Sequence, residues 1–112
     1  MNFVSNYNRE TAKYYFDKIQ NNTITLVYGY EKNDINKVAQ AHENEKKIID
    51  TLKGATNREI EKVFMMILMS EYNELLNRNM VSLPSMNSSI MKEYKRIIVE
   101  MGYNHHNLKK IT

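Results

Sequence analysis

The chain has 112 residues, of which 42% are hydrophobic and 26% charged, and it contains no cysteine. This size and composition predict one globular domain. They exclude a disulfide scaffold, a thiolate nucleophile and the cysteine ligands of structural zinc. The net charge of +3 arises at the C-terminal end, where residues 88–112 hold five basic and two acidic side chains. We expect a single helical domain over residues 1–102 and a polar, basic tail over residues 103–112.

The N-terminal segment predicts a helix from about Asn8 to Gln20. Its apolar side chains recur at the i, i+3, i+4 and i+7 spacing of one helical face, and they are Ala12, Tyr15, Phe16 and Ile19. The pair Asn21-Asn22 is expected to end this helix, because asparagine tolerates a left-handed backbone conformation.

Residues 23–30 allow two interpretations. Ile24, Leu26, Tyr28 and Tyr30 alternate with Thr23, Thr25, Val27 and Gly29. Alternation with period two is typical of a β-strand, whereas the alternative joins the segment to the following helix, with Gly29 as a weak point. We favour the strand, which needs a pairing partner. The predicted fold is therefore mainly α, a small bundle of about four helices with one short β pairing involving residues 23–30.

Three further helices follow. Asp34 is expected to cap a helix from Ile35 to Lys53 that stops at Gly54. The pattern predicts that its inner face consists of Ile35, Val38, Ala39, His42, Ile49 and Leu52. Thr56 and Glu59 form a capping-box pattern that opens a central helix over residues 57–76. The last helix is expected to begin after Ser85, Asn87 or Ser88 and to run to Met101, with Gly102 ending it.

The central helix carries more apolar surface than one helical face requires. Its main apolar stripe comprises Ile60, Val63, Phe64, Ile67, Leu68, Tyr72, Leu75 and Leu76. Met65, Met66 and Met69 fall outside that stripe. Methionine fills gaps in cores, but it also suits adaptable binding surfaces. We expect these three side chains to contact a partner protein or a second copy of the chain, or to be covered by residues 23–30.

No residue pattern indicates catalysis, a cofactor or a metal. The three glycines are isolated, so the sequence has no phosphate-binding loop, and no serine occupies a nucleophile elbow. The pair Glu71 and Glu74 lacks a neighbouring histidine. His105-His106 falls in the tail without preorganisation, and His42 is expected to be a core-edge histidine with one hydrogen-bond partner. We therefore expect a protein that is not an enzyme.

The leading functional hypothesis is a small non-enzymatic binding protein, a regulator or inhibitor that binds a partner protein. Asn, Ile, Lys and Tyr, whose codons are AT-rich, supply 46 of the 112 residues, which favours an AT-rich genome, that of a low-GC bacterium or of a phage or plasmid that lives in one. Because small regulators without an active site are typical of phages and mobile elements, we expect such an element as the source. The sequence shows neither the pattern of a signal peptide nor an apolar run long enough to span a bilayer. We therefore expect a cytoplasmic location.

DNA binding is the alternative hypothesis. The last two helices would form a helix-turn-helix variant, and a polyanion would contact Lys92, Lys95, Arg96, Lys109 and Lys110, since phosphate contacts supply most non-specific affinity. The connection from Asn77 to Met86 is longer than the three or four residues that this motif uses. The last helix also carries a single arginine, the residue best suited to reading base edges. DNA binding therefore ranks second.

Overall fold

The computed structural model describes residues 6–54, 58–79 and 85–104, which form four helices. They are α1 (Asn6–Lys32), α2 (Ile35–Gly54), α3 (Arg58–Asn79) and α4 (Ser85–Glu100). The predicted small helical bundle is confirmed. The described ranges contain no strand, so the β pairing involving residues 23–30 is not confirmed, and Thr56 of the capping-box pattern lies outside them.

Residues 23–30 are helical, as the alternative interpretation has it, but they continue α1 instead of joining the following helix, and the favoured strand is wrong. The helix continues for 27 residues, about 40 Å at the usual rise. Its buried residues Thr23, Leu26 and Val27 recur at helical i, i+3 and i+4 spacing, which the alternating pattern obscured. Asn22 does not end the helix, because its side-chain amide instead donates a hydrogen bond to the Ala41 carbonyl of α2, at 2.7 Å. This contact ties the middle of α1 to its neighbour.

A tight turn reverses the chain between α1 and α2. Asn33 adopts the left-handed conformation at φ 53°, its N–H donates to the Tyr30 carbonyl, and the Asp34 N–H donates to the Gly29 carbonyl. These two bonds form a Schellman motif. The Asp34 carboxylate then accepts the Lys37 N–H at 3.1 Å, which confirms Asp34 as the N-cap of α2.

Gly29 lets α2 begin close to the end of α1. A Cβ placed on Gly29 would lie 2.9 Å from Cγ2 of Val38, which is closer than real Cβ atoms pack, and 3.3 Å from the Val38 backbone nitrogen, which is a tight contact. Glycine therefore allows an approach that any larger residue would prevent. From this point α1 and α2 remain in extensive contact.

The predicted inner face of α2 is correct only in its second half. Ile49 and Leu52 are buried, but Ile35 is 81% exposed, and Ala39 and His42 are also exposed. Ala41 and Glu45 are buried in their place. The close approach at Gly29 turns this part of α2 towards α1 through Val38 and Ala41. The prediction of one hydrogen-bond partner for His42 is confirmed, because its Nε2 lies 2.9 Å from the Tyr30 hydroxyl.

The core lies between α1, α3 and α4, and α2 adds Ile49 and Leu52 to it. Helix α1 packs against all three other helices, whereas α2 has little contact with α3. The fully buried side chains of the core include Ile19, Phe64, Met65, Leu68, Tyr94 and Ile97. No described helix is both long and apolar enough to cross a membrane.

The chain turns back into the core after α4. Gly102 has a φ of 83°, and the N–H groups of Gly102 and Tyr103 donate to the Val99 and Ile98 carbonyls. This confirms the predicted helix end at Gly102. Tyr103, which was assigned to the polar tail, is instead 5% exposed and donates to the buried Glu61 carboxylate at 3.3 Å. Burial and the nearby Glu61 charge raise the pKa of Tyr103 to about 12.

Two leucines of α3 test this assignment of the core. Leu68 is fully buried and Leu76 is 40% exposed. Replacing Leu68 with Ala should lower the free energy of unfolding by about 2–5 kcal/mol, because a large core side chain is lost and a cavity remains. The matched change Leu76→Ala should cost less than about 1 kcal/mol. Denaturant titration measures both values, and equal losses would show that α3 is not oriented as described.

Candidate functional site

A groove of about 700 Å³ lies between α1 and α3, and we call it the α1–α3 groove. Its lining combines apolar side chains from both helices with charged side chains along the edges. The residues are Arg9, Lys13, Phe16, Asp17 and Gln20 of α1 and Val63, Met66, Ile67, Ser70 and Glu71 of α3. Apolar clefts with a few convergent polar groups are the usual form of a binding site.

The floor of the α1–α3 groove is apolar and its most accessible member is Met66. Phe16 and Val63 are buried, and Ile67 is partly buried against the core. Met66 is 51% exposed, so water contacts about half of its side chain. Covering such apolar surface is favourable by about 25 cal/mol per Å². Methionine can also adjust its three side-chain torsions to the shape of whatever covers it.

Charges along the groove are separated by sign. The Asn8 side chain of α1 donates a hydrogen bond to Glu59 of α3, so the two helices begin at the same end of the bundle and run parallel. Arg9 and Lys13 therefore flank the end of the groove near both helix N-termini. Asp17 and Glu71 flank the opposite end. Because the rise is about 1.5 Å per residue, Arg9 and Asp17 are about 12 Å apart along α1.

A second charged cluster joins α2 to α4. The Arg96 guanidinium donates to Glu45 at 2.7 Å, to Glu93 at 2.8 Å and to Glu100 at 3.0 Å. The Glu45 side chain is only 4% exposed. Burial raises the pKa of Glu45, and the hydrogen bond and charge of Arg96 lower it only in part. The arrangement pairs a buried carboxylate of α2 with a guanidinium of α4, which is a structural role.

The residues predicted to bind a polyanion do not form one cationic surface in the described part of the chain. Lys92 and Lys95 are exposed. Arg96, one of the residues expected to contact a polyanion, is half-buried among three carboxylates. Lys109 and Lys110 lie outside the described residues, as does His105-His106. The cluster around Arg96 is therefore net negative and does not favour DNA binding by α4.

The three methionines predicted to meet a partner separate into two environments. Met65 is fully buried and Met69 is 5% exposed, and both belong to the same core cluster as the main stripe of α3. The reason is that α3 packs between α1 and α4, so a second face of the helix is covered within the chain. Only Met66, of these three, remains at the surface.

Sequence reasoning missed the charged edges of the groove. Arg9, Lys13 and Asp17 recur every four residues and follow one edge of the stripe that contains Phe16. This i, i+4, i+8 ridge is visible in the sequence. The sequence does not show, however, that α3 packs beside this face of α1 and forms the other wall of the groove. Glu71 and Glu74, the carboxylate pair noted in the sequence, have different surroundings. Glu71 lines the groove, whereas Glu74 forms an ion pair with Arg78.

The described residues contain no cluster of three or more His, Cys, Asp or Glu side chains that could hold a metal ion. Comparison of the chain with protein-family models, with curated proteins and with solved structures finds no match. The function must therefore be argued from the surface of the molecule itself.

The Arg96 cluster gives a pH-dependent prediction. Replacing Arg96 with Met should lower the free energy of unfolding at neutral pH by about 1–3 kcal/mol, less than for a fully buried pair because Arg96 is partly exposed. The loss should shrink in acid. The folded-state pKa of Glu45 is raised above its ordinary 4.5, and removing Arg96 raises it further. The stability lost through Arg96→Met is thus absent at pH values below the pKa of Glu45 in the unfolded chain. It grows as the pH rises through the pKa of Glu45 in the folded protein.

Thermal or denaturant melts at several pH values measure this effect. The control is Lys47→Met, which removes the exposed pair with Glu43 at 3.5 Å and should change stability by less than about 0.5 kcal/mol. A loss for Arg96→Met that is independent of pH would contradict the assigned role of Glu45.

Proposed function

We propose that this protein is a non-enzymatic protein-binding domain that uses the α1–α3 groove to receive a helical ridge of its partner. One observation carries the proposal: Met66 stands half-exposed over an apolar floor, between edges that carry separated positive and negative charges. Hydrophobic centres rimmed by polar and charged groups are the usual anatomy of a protein–protein interface.

The dimensions of the groove favour a helix as the bound element. The lining residues of α1 extend from Arg9 to Gln20, about 16 Å, which equals three helical turns. A helix presents a ridge of apolar side chains at i, i+4 and i+8, and such a ridge fits between two neighbouring helices. Helix-in-groove binding uses this geometry, with affinity from the apolar face and selectivity from the charged edges.

A regulator or inhibitor that acts by occupying another protein fits this kind of surface. The AT-rich codon usage implied by the sequence supports a phage or mobile element of a low-GC bacterium as the source. Such a protein needs one binding surface and a stable scaffold. The buried Glu45–Arg96 connection and the shared core of α1, α3 and α4 supply the scaffold.

The test compares two surface substitutions that are matched in exposure. Met66 in the groove and Val99 on α4 are each 51% exposed. Tagged protein is incubated with lysate of a low-GC bacterium to which an untagged copy of the chain has been added, and retained proteins are quantified by mass spectrometry. Met66→Glu should reduce retention of the principal bound protein by about tenfold or more, equivalent to about 1.4 kcal/mol.

Val99→Glu should leave retention unchanged, because that position lies outside the groove. Circular dichroism confirms that both variants are folded. The proposal would be overturned if Met66→Glu did not change retention of the bound protein, or if both variants lost retention equally. It would also be overturned if the wild type retained no protein specifically.

A further inference from the structure

We infer that the occupant of the α1–α3 groove is a second copy of this chain, bound in a two-fold symmetric dimer. This inference rests on the proposed function and names the partner. Three features of the groove carry it: the order of its charges, the position of Met66 along its length, and the fact that one of its walls is itself an exposed helical ridge.

The charges of the groove are complementary to themselves. Arg9 and Lys13 flank one end, and Asp17 and Glu71 flank the other. A two-fold axis that crosses the groove reverses its direction in the second copy. The basic end of each copy then faces the acidic end of the other, and the attraction occurs twice in one interface. A parallel arrangement would place like charges together, which interfaces avoid. The charge order therefore selects the antiparallel, isologous contact.

Met66 lies near the middle of the groove. The contact between Asn8 and Glu59 places those two residues at one level along the parallel helices. Counting from that level, Met66 is seven residues along α3, and Phe16 is eight residues along α1. The lining residues of α1 extend from Arg9 to Gln20, so this level is central. A two-fold axis through the centre brings the Met66 side chains of the two copies together.

The wall formed by α3 supplies the ridge that fills the opposite groove. Lys62, Met66 and Ser70 are spaced by four residues and all are exposed, so they form an i±4 ridge on the surface of α3 along the edge of the groove. Ridges of this type pack into the grooves of a facing helix pair. The small Ser70 side chain permits close approach. Since each copy has both the ridge and the groove, each Met66 can cover the floor of the other copy.

The first experiment exchanges the charges of the groove. Arg9→Glu with Lys13→Glu makes both ends acidic, and Asp17→Lys with Glu71→Lys makes both ends basic. The wild type should dimerise with a dissociation constant between about 1 µM and about 1 mM, the range of weak to moderate association. Each double variant should bind itself at least tenfold more weakly. An equimolar mixture of the two should form a heterodimer of about wild-type affinity, measured by sedimentation equilibrium.

The control carries an equal charge change away from the groove. Lys46 on α2 and Lys95 on α4 are exposed and do not line it, so Lys46→Glu with Lys95→Glu should dimerise like the wild type. Loss of dimer in this control, or failure of the mixture to associate, would overturn the inference.

The second experiment does not depend on the charged variants. The chain has no cysteine, so Met66→Cys introduces a single thiol. Oxidation should convert this variant into a disulfide-linked dimer, because the axis brings the two positions within the separation that a disulfide spans. Val99→Cys, equally exposed in the wild type, should link at least tenfold more slowly.

The two proposals fail in different ways. A wild type that stays monomeric throughout the concentration range overturns the second-copy inference. If a lysate protein is then still captured in a Met66-dependent manner, the groove remains the binding site and the partner is another chain. If no protein is captured and no dimer forms, both proposals are overturned.

Discussion

The packing of α2 against the second half of α1 determines where every other element can lie. Leu26 and Val27 are buried in this part of α1, and a Cβ at Gly29 would lie only 2.9 Å from Cγ2 of Val38. Since α1 also packs against α3 and α4, most of the contact between α2 and the rest of the bundle passes through α1. The Glu45–Arg96 ion pair is a second connection, from α2 to α4.

The candidate site is a consequence of this arrangement. Helix α2 covers one part of the α1 surface, other parts contact α3 and α4, and the parallel path of α1 and α3 leaves a groove between them. Helix α3 buries Met65 and Met69 within the chain but leaves Met66 half-exposed. The surplus apolar surface of α3 is therefore mostly internal. What remains at the surface is a short apolar strip between charged edges.

Sequence reasoning found the helices whose patterns are local. The stripe of α3, the Asp34 cap and the Gly102 stop depend on residues within one or two turns, and the structure contains each of them. It failed where a distant contact decides the outcome. Alternation over residues 23–30 resembles a strand only when the burial of Leu26 and Val27 against other helices is unknown. Glu45 could not be recognised as buried without Arg96, which is 51 residues away. The charged ends of the groove likewise depend on which helix stands beside α1.

The continuity of α1 is the claim from which the groove, the core and the Glu45–Arg96 connection follow. Backbone NMR of the chain with amide hydrogen exchange tests it directly. The account predicts helical Cα chemical shifts without interruption through residues 21–30, and strongly protected amides at the buried positions Leu26 and Val27, because buried helical hydrogen bonds open only with larger unfolding events. Extended-chain shifts over residues 23–30, or rapid exchange of those two amides while α3 stays protected, would contradict it.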